Sequence, residues 1–187
     1  MKNLGDRHLD DEQLRKATQE FRRGSAEAFH LLYSHYSSRV YRFCLRMLGS
    51  REKAEDAFQD TFMKVFENAK SFRGDNFGAW LFTIARHICL NMIKMEKPYQ
   101  ELNENSIKMS YIYKGDAGLK EFVQRAILRL PISLREALLL REYEEYSYEE
   151  ISQILGITVS LAKVRVHRAR ILLKKFLEPI TKEYYGN

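Results

Sequence analysis

Six lysine and arginine side chains and one histidine, with no carboxylate among them, lie between Thr158 and Lys175. Apolar residues recur beside them at three- and four-residue steps, which predicts an amphipathic helix with a cationic face. Long cationic side chains neutralise phosphates and release counterions, and arginine can also offer paired donors to a guanine edge. The segment therefore indicates contact with duplex nucleic acid. The plainer interpretation is a solvated basic helix face. It is the weaker one because a predicted short helix and a glycine-containing turn come directly before the segment.

A short helix is predicted directly before the basic segment. Ser147 and Glu150 have the spacing of a capping box, and Gly156 is placed to end the helix that they begin. A short helix, a glycine-containing turn and a longer amphipathic helix form a helix-turn-helix unit, whose second helix enters the DNA major groove. The expected duplex contacts come from Lys163, Val164, Arg165, His167, Arg168 and Arg170.

Acidic and polar side chains cluster beside two phenylalanines in an earlier helical stretch; they are Glu55, Asp56, Gln59 and Asp60, next to Phe58 and Phe62. Two interpretations remain open: a solvated helix face, or a docking surface for a basic partner helix. Neighbouring carboxylates can also serve acid–base or metal chemistry. No histidine or nucleophile stands at a supporting spacing, so neither a catalytic site nor a metal site is predicted.

An aromatic, glycine-containing loop precedes a further predicted helix with cationic residues. Its rings could stack on unpaired bases while the cations follow a nucleic-acid backbone. Aromatic rings near a helix start also serve as core, and for Trp80 this alternative is the stronger one. The candidate single-strand contacts are Phe72, Phe77, Trp80, Arg86 and Asn91.

The sequence as a whole predicts an all-α protein of two small helical domains joined by a linker. Apolar periodicity predicts helices near 28–48, 52–66, 79–96, 119–130 and 133–143, besides the helix-turn-helix. The stretch between the third and fourth predicted helices shows no sustained apolar periodicity. We therefore expect a flexible N-terminal extension at 1–19, a first domain at 20–97, a linker at 98–117 and a second domain at 118–187.

Composition limits the function classes. The 187 residues are 45% hydrophobic with a net charge of +6, which suits a folded protein with polyanionic partners. Nine glycines and three prolines do not favour many short strands, and two cysteines exclude a disulfide framework. No apolar run approaches the ~20 residues of a membrane span, and the first residues are not signal-like. The expectation is a cytoplasmic protein without membrane insertion.

Several motifs together resemble the extracytoplasmic-function type of bacterial RNA polymerase sigma factor. The segment 54–62 is similar to the family's polymerase-binding helix, and 77–86 to the segment that opens the −10 promoter element. Leu130 and Pro131, with Arg135 and Leu138 beyond them, resemble the start of the sigma-4 domain. The segments 147–156 and 163–170 resemble its helix-turn-helix. The resemblance extends from about Glu20 to Leu177.

This resemblance implies a promoter-specificity subunit that is not an enzyme and needs no cofactor. Its first domain, sigma-2-like, would bind the polymerase clamp through Glu55, Asp56, Gln59, Asp60 and Phe62 and would capture unpaired bases of the −10 element. Its second domain, sigma-4-like, would read the −35 element as duplex and contact the polymerase flap. An anti-sigma factor is an implied further partner. The alternative is a two-domain repressor or activator that binds duplex DNA without polymerase.

Overall fold

The computed structural model describes residues 9–96 and 118–185, and all the regular secondary structure in these ranges is helical. The helices are α1 (Asp11–Arg22), α2 (Ala26–Leu48), α3 (Arg51–Glu67), α4 (Phe77–Glu96), α5 (Leu119–Leu128), α6 (Ile132–Glu142), α7 (Tyr148–Leu155) and α8 (Val159–Tyr185). A 3₁₀ turn, Ala69–Ser71, follows α3. None of the described helices is long and apolar enough to cross a membrane. The all-α prediction is confirmed.

The N-terminal domain consists of α1 to α4, with α2 at its centre. Ser25 caps the start of α2 by accepting a hydrogen bond from the backbone N–H of Ala28. Gly49 ends the helix in the left-handed conformation at φ 72°, as the sequence predicts. Helices α1, α3 and α4 all pack against α2. The rings of Phe43 and Phe82 meet edge to face in the resulting core, and both are fully buried.

Helix α1 differs from the prediction of a flexible extension at 1–19, because the structure folds Asp11–Arg22 into a helix. Asp10 and Gln13 form a reciprocal capping box at its start. Phe21 anchors its end: the ring is 2% exposed and lies 5.2 Å from the ring of Phe77. Leu14, Ala17 and Phe21 stand at three- and four-residue steps and face the core, so burial of this apolar face adds to the cap in stabilising the short helix. Residues 1–8 lie outside the described part of the chain.

The C-terminal domain consists of α5 to α8, and its helix-turn-helix is α7 and α8. The predicted capping box is present: the Ser147 hydroxyl accepts from the Glu150 backbone, and the Glu150 carboxylate accepts from the Ser147 backbone. Gly156 turns the chain between the two helices at φ 66°. Helix α8 packs on α5, α6 and α7, burying Ala162, Val166 and Ala169 on one face.

The two domains pack directly against each other and share one continuous apolar core. Tyr146 of the C-terminal domain lies against Phe82 of the N-terminal domain, with 5.5 Å between ring centroids. The last turn of α2 also contacts α5, where the Leu128 side chain lies against Gly49. The predicted linker at 98–117 falls outside the described residues.

Candidate functional site

Four of the predicted duplex contacts lie on the outward face of α8. Lys163, Val164, His167 and Arg168 are all exposed, and they follow the helix at one- and three-residue steps opposite the buried Ala162. His167 and Arg168 make no ion pair within the described residues. This face is a strip of cationic and apolar side chains on the second helix of the helix-turn-helix, where groove-reading side chains are expected.

The two remaining predicted contacts are held by carboxylates. The Arg165 guanidinium lies 3.4 Å from a Glu136 oxygen and is 23% exposed. Arg170 donates from Nε to Glu142 Oε1 at 2.9 Å, across the rim between α6 and α8. The structure therefore divides the predicted set into outward side chains, which are available to DNA, and two engaged arginines.

Ile171 extends the outward face of α8, with 55% of its surface exposed. The sequence analysis did not select it, because an isoleucine in an amphipathic pattern is usually core. Its position is one turn beyond His167, and Val164 lies one turn before that histidine. Exposed apolar side chains of this kind suit contact with a thymine methyl group.

A cavity of about 330 Å³ lies beside the aromatic loop of the N-terminal domain. Trp80 and Thr83 of α4 and the loop Ser71–Asn76 form one side, and Gln153 and Ile154 of α7 form the other. Asn76 caps α4 by accepting from the backbone N–H of Ala79 at 2.8 Å, which fixes the loop on the helix. The cavity has the polar and aromatic lining that an unpaired base needs.

Phe72 and Phe77 lie in the core beneath this loop, each 2% exposed. Phe72 packs 4.8 Å from Trp80, and Phe77 packs against both Trp80 and Phe21. In this arrangement the two phenylalanine rings hold the loop and the tryptophan in place and do not present a face to a base. Trp80 is partly exposed and borders the cavity.

The two polar single-strand candidates on α4 lie in different surroundings. Arg86 is 14% exposed and binds Glu136 with two hydrogen bonds, from Nε at 2.7 Å and from a terminal nitrogen at 3.3 Å. Asn91 is exposed on the same face as Trp80, about 16 Å further along the helix axis. His87 lies between them, and burial is the main cause that lowers its pKa.

The acidic cluster on α3 forms part of a continuous outward strip. Asp56 and Gln59 are exposed, and Met63 and Phe66 follow them at four- and three-residue steps with 55% and 63% of their surfaces exposed. Exposed large apolar side chains beside acidic ones are typical of a protein-docking surface. We call Asp56, Gln59, Met63 and Phe66 the α3 strip.

The other predicted members of the polymerase-binding set lie beside this strip. Phe62 is 6% exposed and packs 4.6 Å from the Tyr33 ring, so it supports α3 from within. Glu55 pairs with Arg51 at 3.1 Å, and Asp60 is half-buried. The sequence analysis selected neither Met63 nor Phe66 for this surface. Their spacing from Asp56 and Gln59 is the signal that could have found them.

No group of three or more metal-ligating side chains occurs within the described residues. The two cysteines, Cys44 and Cys89, are fully buried and free. A hydrogen bond between the two side chains is the main cause that raises the pKa of the Cys44 thiol, and burial adds to it. These thiols therefore behave as small apolar core groups.

Both domains match known protein families. Residues 32–98 match sigma-70 region 2, and residues 122–173 match sigma-70 region 4. The first match covers α4 and the α3 strip, and the second covers the helix-turn-helix.

Similar proteins and structures cover nearly the whole chain. The ECF RNA polymerase sigma factor SigW of Bacillus subtilis is 30% identical over 183 residues, which is 89% of this chain and 98% of that protein. The RNA polymerase sigma factor YlaC of the same organism is 35% identical over 77% of this chain and 88% of that protein. The sigma factor RpoE of Bartonella quintana, solved in complex with the anti-sigma factor NepR, matches with a TM-score of 0.67 at 29% identity over 82% of this chain and 98% of that chain.

Proposed function

Because the chain belongs to the extracytoplasmic-function sigma factors and confers promoter recognition on RNA polymerase, we propose how its residues divide that task. The C-terminal domain reads the −35 element as duplex, the N-terminal domain captures unpaired −10 bases, and the α3 strip binds the polymerase clamp. The observation that carries this division is the outward face of α8, a cationic reading surface on the second helix of a helix-turn-helix.

In the duplex-reading role, Lys163, His167 and Arg168 offer donors to base edges and phosphates, while Val164 contacts a thymine methyl. Their exposed positions on successive turns support this assignment. Arg165 joins them once it is released from Glu136. Arg170 lies further from the start of α8, and its pairing with Glu142 suits a contact at the phosphate backbone.

In the strand-capturing role, the cavity beside Trp80 accepts an extruded base. Extrusion costs a few kcal/mol of stacking, which contacts inside a cavity must offset. Phe72 and Phe77 support the loop from the core, so their part in binding is indirect. Arg86 and Asn91 continue the binding path along α4, where their donors can follow the strand.

The α3 strip docks on the clamp through its two exposed apolar side chains, and Asp56 and Gln59 select a basic or polar counterpart. Glu55 and Asp60 flank that contact, and Phe62 keeps the helix in place. The C-terminal domain contacts the flap. The protein carries no catalytic site, needs no cofactor and acts in the cytoplasm.

An anti-sigma factor is a further proposed partner, since the similar structure from Bartonella quintana is a complex with one. An inhibitor of this kind would compete with polymerase for the surfaces described above.

Run-off transcription with core polymerase from the host, on a genomic fragment library, tests the proposed function and reveals the promoter. Arg168→Ala should lower initiation at that promoter about 10- to 100-fold, the effect of one lost arginine–base contact. Arg15→Ala, which removes an exposed arginine from α1, is the matched control and should leave initiation unchanged.

Core binding, measured by co-purification, should persist in Arg168→Ala. An equal loss of core binding would contradict the assignment of Arg168 to DNA. Tight binding of the isolated chain to a duplex operator, with no stimulation of polymerase on any fragment, would favour the repressor or activator alternative.

A further inference from the structure

Three exposed cationic side chains lie at the mouth of the cavity beside Trp80, and none of them belongs to the predicted DNA-binding set. Arg73 lines the cavity directly. Lys70 lies in the 3₁₀ turn that leads into the loop, and its carbonyl accepts a hydrogen bond from Arg73 Nη1 at 2.5 Å. Arg22, the last residue of α1, lies 3.5 Å from Asp75, which is also part of the cavity wall.

We propose that Arg22, Lys70 and Arg73 form a phosphate rim, which holds the sugar–phosphate backbone of a single strand while one of its bases occupies the cavity. The proposal rests on the proposed function, because it takes the cavity as the site of the extruded base. A phosphate stays outside such a cavity, since removing its charge from water is costly. The two phosphates next to an extruded base therefore lie at the mouth, where the three cations are.

Arg73 is held in place for this contact by its own loop. Its Nη1 donates to the carbonyl of Lys70 and, at 3.5 Å, to the carbonyl of Phe72. Both bonds use the same terminal nitrogen, so the donors on Nε and Nη2 have no partner within the described residues. A guanidinium fixed in this way offers paired donors to a phosphate and loses little conformational entropy when it binds.

The ion pair between Arg22 and Asp75 leaves Arg22 available to a phosphate. The side chain of Asp75 is 94% exposed and that of Arg22 is 37% exposed, and a pair in such contact with solvent contributes little to stability. Asp75 is also the only carboxylate between residues 68 and 76, so it does not cancel the charge of the three cations. A phosphate can therefore take the place of Asp75 on the guanidinium group through a paired hydrogen bond.

Helix α1 fixes Arg22 against the loop. The ring of Phe21, the residue before it, lies 5.2 Å from the ring of Phe77 and 6.3 Å from that of Trp80. The helix also packs on the 3₁₀ turn that contains Lys70. The end of α1 and the aromatic loop thus form one surface, so α1 contributes to the binding of the strand as well as to the core.

The salt dependence of DNA binding tests the phosphate rim, because counterion release reports how many phosphates a protein neutralises. The holoenzyme, formed with core polymerase from the host, is titrated with a fork-junction DNA. Its unpaired −10 strand carries the promoter sequence found by run-off transcription. The variants are Arg73→Gln, Lys70→Gln and the charge-preserving Arg73→Lys. Lys16→Gln is the matched control, since it removes an exposed cation of α1 about 9 Å before Arg22 along the helix axis.

Arg73→Gln and Lys70→Gln should each reduce the slope of log affinity against log salt by about 0.7, which is the value for one phosphate of a single strand. The same slope corresponds to about fivefold weaker binding at about 0.1 M salt. The loss should not depend on which base occupies the cavity, because a phosphate contact carries no sequence information. Arg73→Lys should keep the salt slope, and Lys16→Gln should keep both slope and affinity. A thermal melt confirms that each variant is folded.

A neutral methylphosphonate linkage, placed at one position of the −10 strand at a time, locates the contact. At the linkage that Arg73 binds, the unmodified chain should lose affinity. Arg73→Gln should lose no more at that linkage, because its contact is already absent and the two changes are therefore not additive.

Unchanged salt slopes in folded Arg73→Gln and Lys70→Gln would overturn the phosphate rim, as would additive losses at every methylphosphonate position. A loss that varied with the base in the cavity would assign Arg73 to base reading and would overturn it too. Failure of the proposed function itself has a different signature: no genomic fragment would give a run-off product with the unmodified chain and core polymerase.

Discussion

Gly78, in the first turn of α4, lies at a close approach between the two domains. A Cβ atom at this position would lie 2.7 Å from the Tyr146 hydroxyl oxygen and 2.8 Å from that of Tyr36. Tyr36 belongs to the N-terminal domain and Tyr146 to the C-terminal domain. Burial raises the pKa of Tyr36 to about 12 and also raises the pKa of Tyr146 well above its ordinary value, so both hydroxyls are uncharged at neutral pH. The variant Gly78→Ala therefore adds one methyl group between two buried neutral rings.

The expected cost follows from how little the two rings can move. Tyr36 is 4% exposed and packs on Phe77, and Tyr146 is 7% exposed and packs on Phe82. Overpacking of this kind costs about 1–3 kcal/mol, whereas alanine in a helix gains about 0.5–1 kcal/mol over glycine. The difference predicts a net loss of about 1–2 kcal/mol in the free energy of unfolding. Movement of the C-terminal domain away from Gly78 is the alternative response.

Urea unfolding measures the loss, and the distance between spin labels placed at Lys16→Cys in the N-terminal domain and Lys120→Cys in the C-terminal domain reports any separation of the domains. Gly74→Ala is the matched control, since its added Cβ would meet nothing closer than 3.5 Å. The control should change stability by less than about 0.5 kcal/mol. If Gly78→Ala matched Gly74→Ala in both measurements, the close approach of the domains at this point would be refuted.

Two further predictions concern single side chains. Phe66→Ala should weaken co-purification with core polymerase and lower the free energy of unfolding by no more than about 1.5 kcal/mol, because the ring is largely exposed and packs edge to face on Phe29. Phe62→Ala should instead lose about 3–5 kcal/mol, and equal stability losses would show that the two rings have been assigned to the wrong faces. Burial raises the pKa of Glu144 despite the opposing charge of Arg39. The folded chain therefore keeps a proton on Glu144 that the unfolded chain has released, and this contribution to stability grows as the pH falls from 7 towards the ordinary carboxyl range. Urea unfolding across that range should show the unmodified chain gaining stability relative to Glu144→Gln, and a relative loss would mean that the pairing with Arg39 outweighs burial.

Local signals in the sequence predict most of the helices because their causes are local. The capping box of Ser147 and Glu150 and the left-handed Gly156 place the helix-turn-helix within a residue of its observed bounds. Helix α1 does carry local signals, the capping box of Asp10 and Gln13 and the apolar spacing of Leu14, Ala17 and Phe21, but they are short and lie in a polar, acidic terminus, which favoured an extension over a helix. In α3 the apolar spacing identified the helix but not which phenylalanine is buried, since Phe62 and Phe66 lie only one turn apart.

The contacts between the domains could not be predicted from spacing. Arg39 and Glu144 are separated by 105 residues and Arg86 and Glu136 by 50, and a sequence with many exposed arginines and glutamates permits many such pairs. The assignment of Arg165 to base reading was made from its place in a basic helix. The sequence could not show that this guanidinium faces a carboxylate of α6.

The end of α2 has a consequence for synthesis on the ribosome. Arg135 and Gln124 of the C-terminal domain donate to the carbonyls of Met47 and Leu45, in the last turn of α2. The N-terminal half emerges first, so the Met47 carbonyl must be hydrated until the second half arrives, whereas the Leu45 carbonyl already accepts from the Gly49 backbone N–H. A contact surface that includes guanidinium, amide and carbonyl groups stays hydrated during translation. It therefore carries less risk of aggregation than a wholly apolar surface.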